Sequence, residues 1–338
     1  MKTKNLKQLV ALALLALMAT AAQARSWRIN HNTMQNPDFA DINAAMASAS
    51  VADGDTLYLD PGCSLTADQT ISKQVTVVGC GYFRTDLAYP FASILGKLYI
   101  TAPFAKVESA ILNNVYIRAE NVTVQRCYAL DFYLADNSAP SANANIRQCY
   151  CRCIYGKGKS DALSAYCSIE NCMILADGGN DGFYAVINLY YPTIRNCYIY
   201  ENCQTTGYSN IYALTNLSYY TIVNCIILNG KKSSYILNGC SNAVTNAYNI
   251  TSNTDGMSRT ALFLWSEGNN DERYQLNETS PARGYAADGS DIGPFAGNYP
   301  YVLGGLPMGH PYYTKAQISP RSDDDKVKVS LQIKMQDE

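Results

Sequence analysis

The 338-residue chain is poor in charge, in histidine and in long apolar runs. Charged residues make up 16% of it, against the roughly 25% usual in soluble domains. The formal net charge is −2, which implies no basic face and argues on charge grounds against a nucleic-acid partner. The only histidines are His31 and His310, and no Cys-x-x-Cys pair occurs, which removes the usual zinc spacings. No segment beyond the first 24 residues is long and apolar enough to span a bilayer. Gly156-Lys157-Gly158-Lys159-Ser160 ends like a phosphate-binding loop, but Cys153 stands where the earlier glycine is required and no strand-loop-helix pattern surrounds it.

What is present is apolar and rich in tyrosine. Apolar residues reach 48%, enough for a large core, which excludes a disordered chain. There are 27 Tyr against 8 Phe and 2 Trp, and 12 Cys. Residues 1–24 read as an export signal. Lys2, Lys4 and Lys7 precede the apolar run Leu9 to Met18, and Ala22-Gln23-Ala24 fits a small-x-small cleavage site. Removing them leaves 23 basic and 28 acidic residues, a net charge of −5. The expectation is an exported protein, secreted, periplasmic or on the cell surface, without a membrane span.

The middle of the chain repeats. Val124-Gln125-Arg126-Cys127, Ile146-Arg147-Gln148-Cys149, Ile169-Glu170-Asn171-Cys172, Ile194-Arg195-Asn196-Cys197 and Ile222-Val223-Asn224-Cys225 align on their cysteines. Val244-Thr245-Asn246-Ala247 aligns as a sixth with Ala for Cys. The steps are 22, 23, 25, 28 and 22 residues. Units of this length with short β-rich runs and no amphipathic helix predict stacked turns of a solenoid. Stacking at the strand spacing of about 4.8 Å sets each inward side chain over its counterpart, so Ile, Val and Cys form ladders. Asn171, Asn196, Asn224 and Asn246 fall at bends, where Asn tolerates a left-handed backbone. Five cysteines in one phase read as a reduced internal ladder, because in-register Cβ atoms lie farther apart than the roughly 3.8 Å of a disulfide. Cys149, Cys151 and Cys153 would share one strand face.

This repeat resembles that of the right-handed parallel β-helix superfamily that includes the pectin-lyase-like proteins. Asp38 to Ala45 and Gly54 to Leu59 look like that superfamily's N-terminal cap and first strand, with Phe39, Ile42, Met46 and Ala49 on one helical face. Ser280-Pro281-Ala282 and Asp288 to Gly293 resemble the closing segment of secreted bacterial members. The expected fold is all-β, a single-stranded right-handed parallel β-helix with a short N-terminal capping helix. It occupies residues 25–312, between the signal at 1–24 and a C-terminal linker and edge strand at 313–338. In that tail Val327, Val329, Leu331, Ile333 and Met335 alternate with polar residues. Such a strand must pair, either along the β-helix or, through residues 326–335, with a protein partner.

Enzymes of the resembled superfamily are hydrolases with paired carboxylates or lyases with a base and cations. The catalytic candidates are Lys157, Asp161, Asp177 and Asp181, with Lys159, Asp131, Asp136 and Glu201 nearby, but no hydrolase or lyase motif matches residue by residue. Turn chemistry alone explains Ala176 to Gly182. A Ca²⁺ site there is the alternative, since hard oxygen ligands are at hand; no other cofactor is expected. Tyr133, Tyr184, Tyr212 and Tyr235, with Tyr155, occupy comparable strands and are expected to stack as a column. Facing outward, the column would be a platform for sugar rings; facing inward, it would be core. Tyr190, Tyr191, Tyr219 and Tyr220 flank the repeat strands and are expected to be partly exposed. The leading functional expectation is non-catalytic binding of a glycan or another surface partner. A polysaccharide lyase or glycoside hydrolase, and a structural or adhesion component, are the alternatives.

Overall fold

The structure, a computed structural model, describes residues 24–84, 90–136, 139–158, 160–176, 184–202, 211–230, 235–252, 257–265, 270–306, 311–318 and 329–335. The export segment lies outside them but for its last residue. The architecture is all-β and built from long parallel sheets. One sheet has ten strands, from Ser26–Ile29 through Thr123–Gln125 and Ser168–Glu170 to Thr245–Ala247, and a second has fourteen. From Ser26 to Thr251 each strand pairs in parallel with a strand one turn further on, so the chain winds as a coil.

A left-handed residue makes the same bend in seven successive turns. Ser109, Arg126, Gln148, Asn171, Asn196, Asn224 and Tyr248 have φ between 49° and 60°. Each of the first six donates its N–H to a carbonyl at the end of the next turn's strand, at 2.9–3.4 Å. Asn171, Asn196 and Asn224 are therefore bend residues as expected. The sixth repeat is out of phase with the alignment, however. Val223 pairs with Ala247, so Tyr248 rather than Asn246 makes that bend and Asn249 follows where the other turns have Cys. Its Oδ1 accepts from Cys225 N at 2.8 Å.

The position after the bend points inward. Cys127, Cys149, Cys172, Cys197 and Cys225 are fully buried. Their thiols donate to the carbonyl two residues back at 3.1–3.3 Å. Every described cysteine is a free thiol. Cys149, Cys151 and Cys153 do share the inner face. Burial pushes the thiols of Cys80, Cys153 and Cys167 up to about 12, so they behave as small hydrophobes.

At the N-terminal end, helix α1 (Ile42–Ala47) covers the core with Ile42, Ala45 and Met46. Asp41 caps it, accepting from Ala44 N at 2.7 Å. The helix is shorter than the apolar pattern: Phe39 precedes it, packed on the core, and Ala49 follows it, exposed.

Residues 257–265 and 270–306 fold back along the outside of the coil. They build a second apolar cluster in which Leu262, Phe263, Tyr274 and Ile292 pack against Met173, Tyr198 and Ile226. Strands Met173–Ala176, Tyr198–Glu201 and Ile226–Asn229 are thus buried on both faces. The return path follows the bend column. Gly293 N donates to Asn224 O, Asn171 Nδ2 to Pro294 O and Ala296 O, Gln148 Nε2 to Pro300 O, and Tyr82 N to Gly304 O. A buried network closes it: Tyr301 Oη lies 2.7 Å from Tyr82 Oη and donates to Asp271, which also accepts from Gly304 N. Burial raises the Asp271 carboxyl above the usual carboxylate range.

Pro311–Ile318 and Val329–Met335 form an antiparallel hairpin. Among the described residues the tail strand thus pairs with Pro311–Ile318, a strand absent from the sequence reading, and with no strand of the coil.

Asn171 bears on both the coil and the returning segment. Asn171→Gly keeps the left-handed bend but removes two buried hydrogen bonds, and should cost about 1–2 kcal/mol. Asn171→Ala adds the left-handed penalty and should cost about 2–4 kcal/mol. Urea unfolding of the two variants checks the order.

Candidate functional site

Strand register sets one tyrosine over another on the outer face of the second sheet. Tyr99 pairs with Tyr116, Tyr116 with Tyr133 and Tyr133 with Tyr155. Ring centroids are 5.1, 4.7 and 5.1 Å apart, and the last two pairs are stacked within 14° of parallel. All four rings are half-buried. The neighbours Ile100, Ile117 and Leu134 point into the core, which fixes the tyrosines outward.

Stacking has a consequence for binding. Each inner ring has both faces taken by its neighbours, so the column presents ring edges and hydroxyls rather than a flat aromatic surface. At the Tyr99 end the Arg118 guanidinium lies 4.3 Å from the ring centroid. Lys97 Nζ sits 5.8 Å from the Tyr116 centroid. Burial raises the Tyr116 and Tyr155 hydroxyls, and burial with the nearby Asp131 charge pushes Tyr133 up to about 12. The hydroxyls therefore stay protonated at any physiological pH. A recess of about 250 Å³ opens beside them, lined by Tyr133, Ala135, Asp136, Tyr155 and Lys157.

The arginines around the column are paired. Arg118 bonds Asp136. Asp131 is 1% exposed and takes Arg152 Nε at 2.9 Å and Nη2 at 2.5 Å, with Tyr133 Oη donating at 3.3 Å. Beyond that pair a cleft of about 410 Å³ is lined by Tyr128, Tyr150, Leu175 and Tyr274.

The four expected tyrosines do not make one column. Tyr133 stacks with Tyr155 as expected, but its other neighbour is Tyr116. Tyr184, Tyr212 and Tyr235 each lie two residues before Val186, Leu214 and Leu237, which pair in register, so they belong to a second column. Tyr212 and Tyr235 are 4.7 Å apart. By the same register the second column continues from Arg152, not from Tyr133. A third group sits at another left-handed corner: Tyr166, Tyr191 and Tyr219 stack at 5.0 and 4.7 Å, with Tyr190 edge-on to Tyr191. Tyr219 is exposed and Tyr190 and Tyr191 half-buried, as expected, but Tyr220 is buried.

Of the catalytic candidates, Lys157 Nζ and Asp161 Oδ2 are 3.8 Å apart, and Asp161 caps a short 3₁₀ turn by accepting from Leu163 N. Asp177, Asp181 and Lys159 lie outside the described residues, as does most of the proposed calcium segment. Glu201 is fully buried and accepts from Asn229 at 2.6 Å. Among the described residues no group of His, Cys, Asp and Glu is placed to hold a metal ion, and no helix is long and apolar enough to cross a membrane.

Tyr99, Tyr116, Arg118 and Arg152 escaped the sequence reading. Their signal was the recurring Tyr-Ile, Tyr-Ile, Tyr-Leu at 99, 116 and 133, whose first two members precede the cysteine repeat. No protein-family model matches the chain, and no curated protein is significantly similar to it.

Arg152 is expected to hold Asp131 in the folded coil. Arg152→Ala leaves a buried carboxylate without its cation and should cost about 3–5 kcal/mol. Arg152→Ala combined with Asp131→Asn should recover most of that loss. A double-mutant cycle by thermal or urea unfolding measures it.

Proposed function

We propose that this is an exported right-handed parallel β-helix protein of the pectin-lyase-like kind that binds a polysaccharide without cleaving it. The reading rests on one observation, the outward ladder of Tyr99, Tyr116, Tyr133 and Tyr155 with hydroxyl-bearing edges repeated every 4.7–5.1 Å. Protonated phenols donate and accept hydrogen bonds, and a periodic row of them suits a ligand with periodic hydroxyls. The surrounding arginines are satisfied by Asp131 and Asp136. Recognition is therefore chiefly by hydrogen bonds, with Lys97 and Lys157 the cations at the ladder, and binding should weaken only modestly between low and physiological salt.

The carboxylates beside the ladder favour binding over catalysis. Asp131 and Asp136 are each tied to an arginine, and neither is placed as a free general acid. A lyase or hydrolase reading would rest on Lys157, Asp161, Asp177 and Asp181.

The test is a panel of neutral and acidic polysaccharides, read for binding and for new chain ends. The Tyr116→Phe, Tyr133→Phe double variant keeps both rings and removes both hydroxyls. Affinity should fall about tenfold or more, at roughly 1 kcal/mol per lost hydrogen bond, while the melting temperature drops only by the loss of the Tyr133–Asp131 hydrogen bond. Binding should be flat from pH 7 to about 9, because burial keeps the Tyr116, Tyr133 and Tyr155 phenols neutral throughout. Unchanged affinity in the double variant, or no binding to any member of the panel, would defeat the proposal. New chain ends would replace it with an enzyme.

A further inference from the structure

The tyrosine ladder is regular, but the surface beside it is not. Register sets Leu134 on Ile117 and Tyr133 on Tyr155. The positions two residues after the ladder tyrosines therefore form a column of their own, with Arg118, Ala135 and Lys157 in successive turns. The recess of about 250 Å³ opens at the small member of that column, where Ala135, Asp136 and Lys157 line it together with Tyr133 and Tyr155. A chain lying along the ladder passes its mouth.

Ala135 holds an unfavourable backbone at this place. Its φ is 57°. Later turns make their left-handed corner one residue earlier, at Asn188, Asn216 and Gly239, which follow Ile187, Thr215 and Asn238 in the ladder register. Asn and Gly suit that conformation and Ala does not. The strain at Ala135 is thus not imposed by the repeat. Asn would relieve it, but its longer side chain would take up space in the hollow. Strain of this kind gathers at ligand sites.

Size and charge say what fits. Pockets for drug-sized ligands run from roughly 300 to 1,000 Å³, so this one suits a single ring. Arg118 lies over the Tyr99 ring and bonds Asp136 at 2.5 Å, and Lys157 Nζ is 3.8 Å from Asp161 Oδ2. Two cations are matched by two carboxylates, and a charged occupant would lose water without meeting a net opposite charge. Phenol hydroxyls, an ammonium and a carboxylate mix donors with acceptors, which is what neutral sugar hydroxyls need.

We infer that the recess takes a neutral single-sugar branch of the ladder-bound chain, so that the ligand is a branched rather than a linear polysaccharide. This rests on the polysaccharide reading and narrows it. The ladder hydroxyls meet the main chain, Ala135 keeps the branch site open, and Lys157 and Asp136 bond the branch hydroxyls.

The test is an array of matched oligosaccharides that share a backbone and differ by one xylosyl, galactosyl or arabinosyl branch, with a glucuronosyl-branched member beside them. The tightest pair is then titrated by calorimetry. The mature wild type should bind the neutral branched member at least about tenfold tighter than its linear partner, the value of one or two hydrogen bonds. Lys157→Trp places a large ring at the recess wall and should bind the two members alike, with its fold checked by melting temperature. The Tyr116→Phe, Tyr133→Phe variant should weaken on both members. Equal wild-type affinity for branched and linear members would overturn the inference and leave the polysaccharide reading standing. So would a branch preference that survives in a folded Lys157→Trp variant, or tightest binding of the glucuronosyl-branched member. Binding to no member of the array would defeat both readings together.

Discussion

Parallel in-register stacking is the constraint on which the molecule depends. Each residue of a strand lies one strand spacing from its counterpart in the next turn, so a side chain must tolerate near-copies of itself above and below. Inward, Ile146, Ile169, Ile194 and Ile222 satisfy this by dispersion and burial. After each bend there is room for a small side chain, and Cys fills it while its thiol reaches a carbonyl two residues back. At the bend the requirement is a left-handed backbone, and Asn meets it while its amide reaches the returning segment at Asn171. Charged residues are few because a charge repeated at the strand spacing repels itself; Glu170 pairs with Arg195 in register, one sign over the other.

The same rule governs the tyrosines. Rings stacked at about 5 Å gain from mutual contact, and the arrangement costs them their faces as binding surfaces. What remains exposed is polar, a line of hydroxyls on ring edges. The left-handed tyrosines Tyr166, Tyr191 and Tyr219 repeat the arrangement at a corner where the neighbouring turns have Asn143 and Asn242. Three aromatic residues with positive φ in consecutive turns hold a less favoured backbone, offset in part by their stacking.

Much of the coil was legible because cysteine and asparagine mark its phase. From Cys127 to Cys225 the alignment coincides with the paired register. It failed at the last turn, where the left-handed position is Tyr248 and both marker residues are missing from their places. It also began too late: the turns at Ser109 and Gly79 use other residues at the bend, which hid Tyr99 and Tyr116 from the tyrosine column. Alternation identified the strand at Val329 but carries no information about its partner. The return of residues 257–265 and 270–306 was invisible for a similar reason, since its contacts join positions far apart in the chain, Gln148 with Pro300 and Asn171 with Pro294 among them.

The site was legible by composition and misplaced by register. An excess of Tyr pointed to tyrosine columns, and shifts in turn length placed Tyr133 and Tyr184 in different ones. The central claim is that the Tyr99 to Tyr155 ladder faces outward and that its edges meet a polysaccharide. Hydroxyl-radical footprinting read by peptide mass spectrometry tests it most directly. Tyr116, Tyr133 and Tyr155 should oxidise in the free protein, while the fully buried Tyr82 and Tyr198 do not, and a bound polysaccharide should suppress oxidation of the ladder alone. A ladder as resistant as Tyr82 and Tyr198, or one that oxidises equally with polysaccharide bound, would contradict the account.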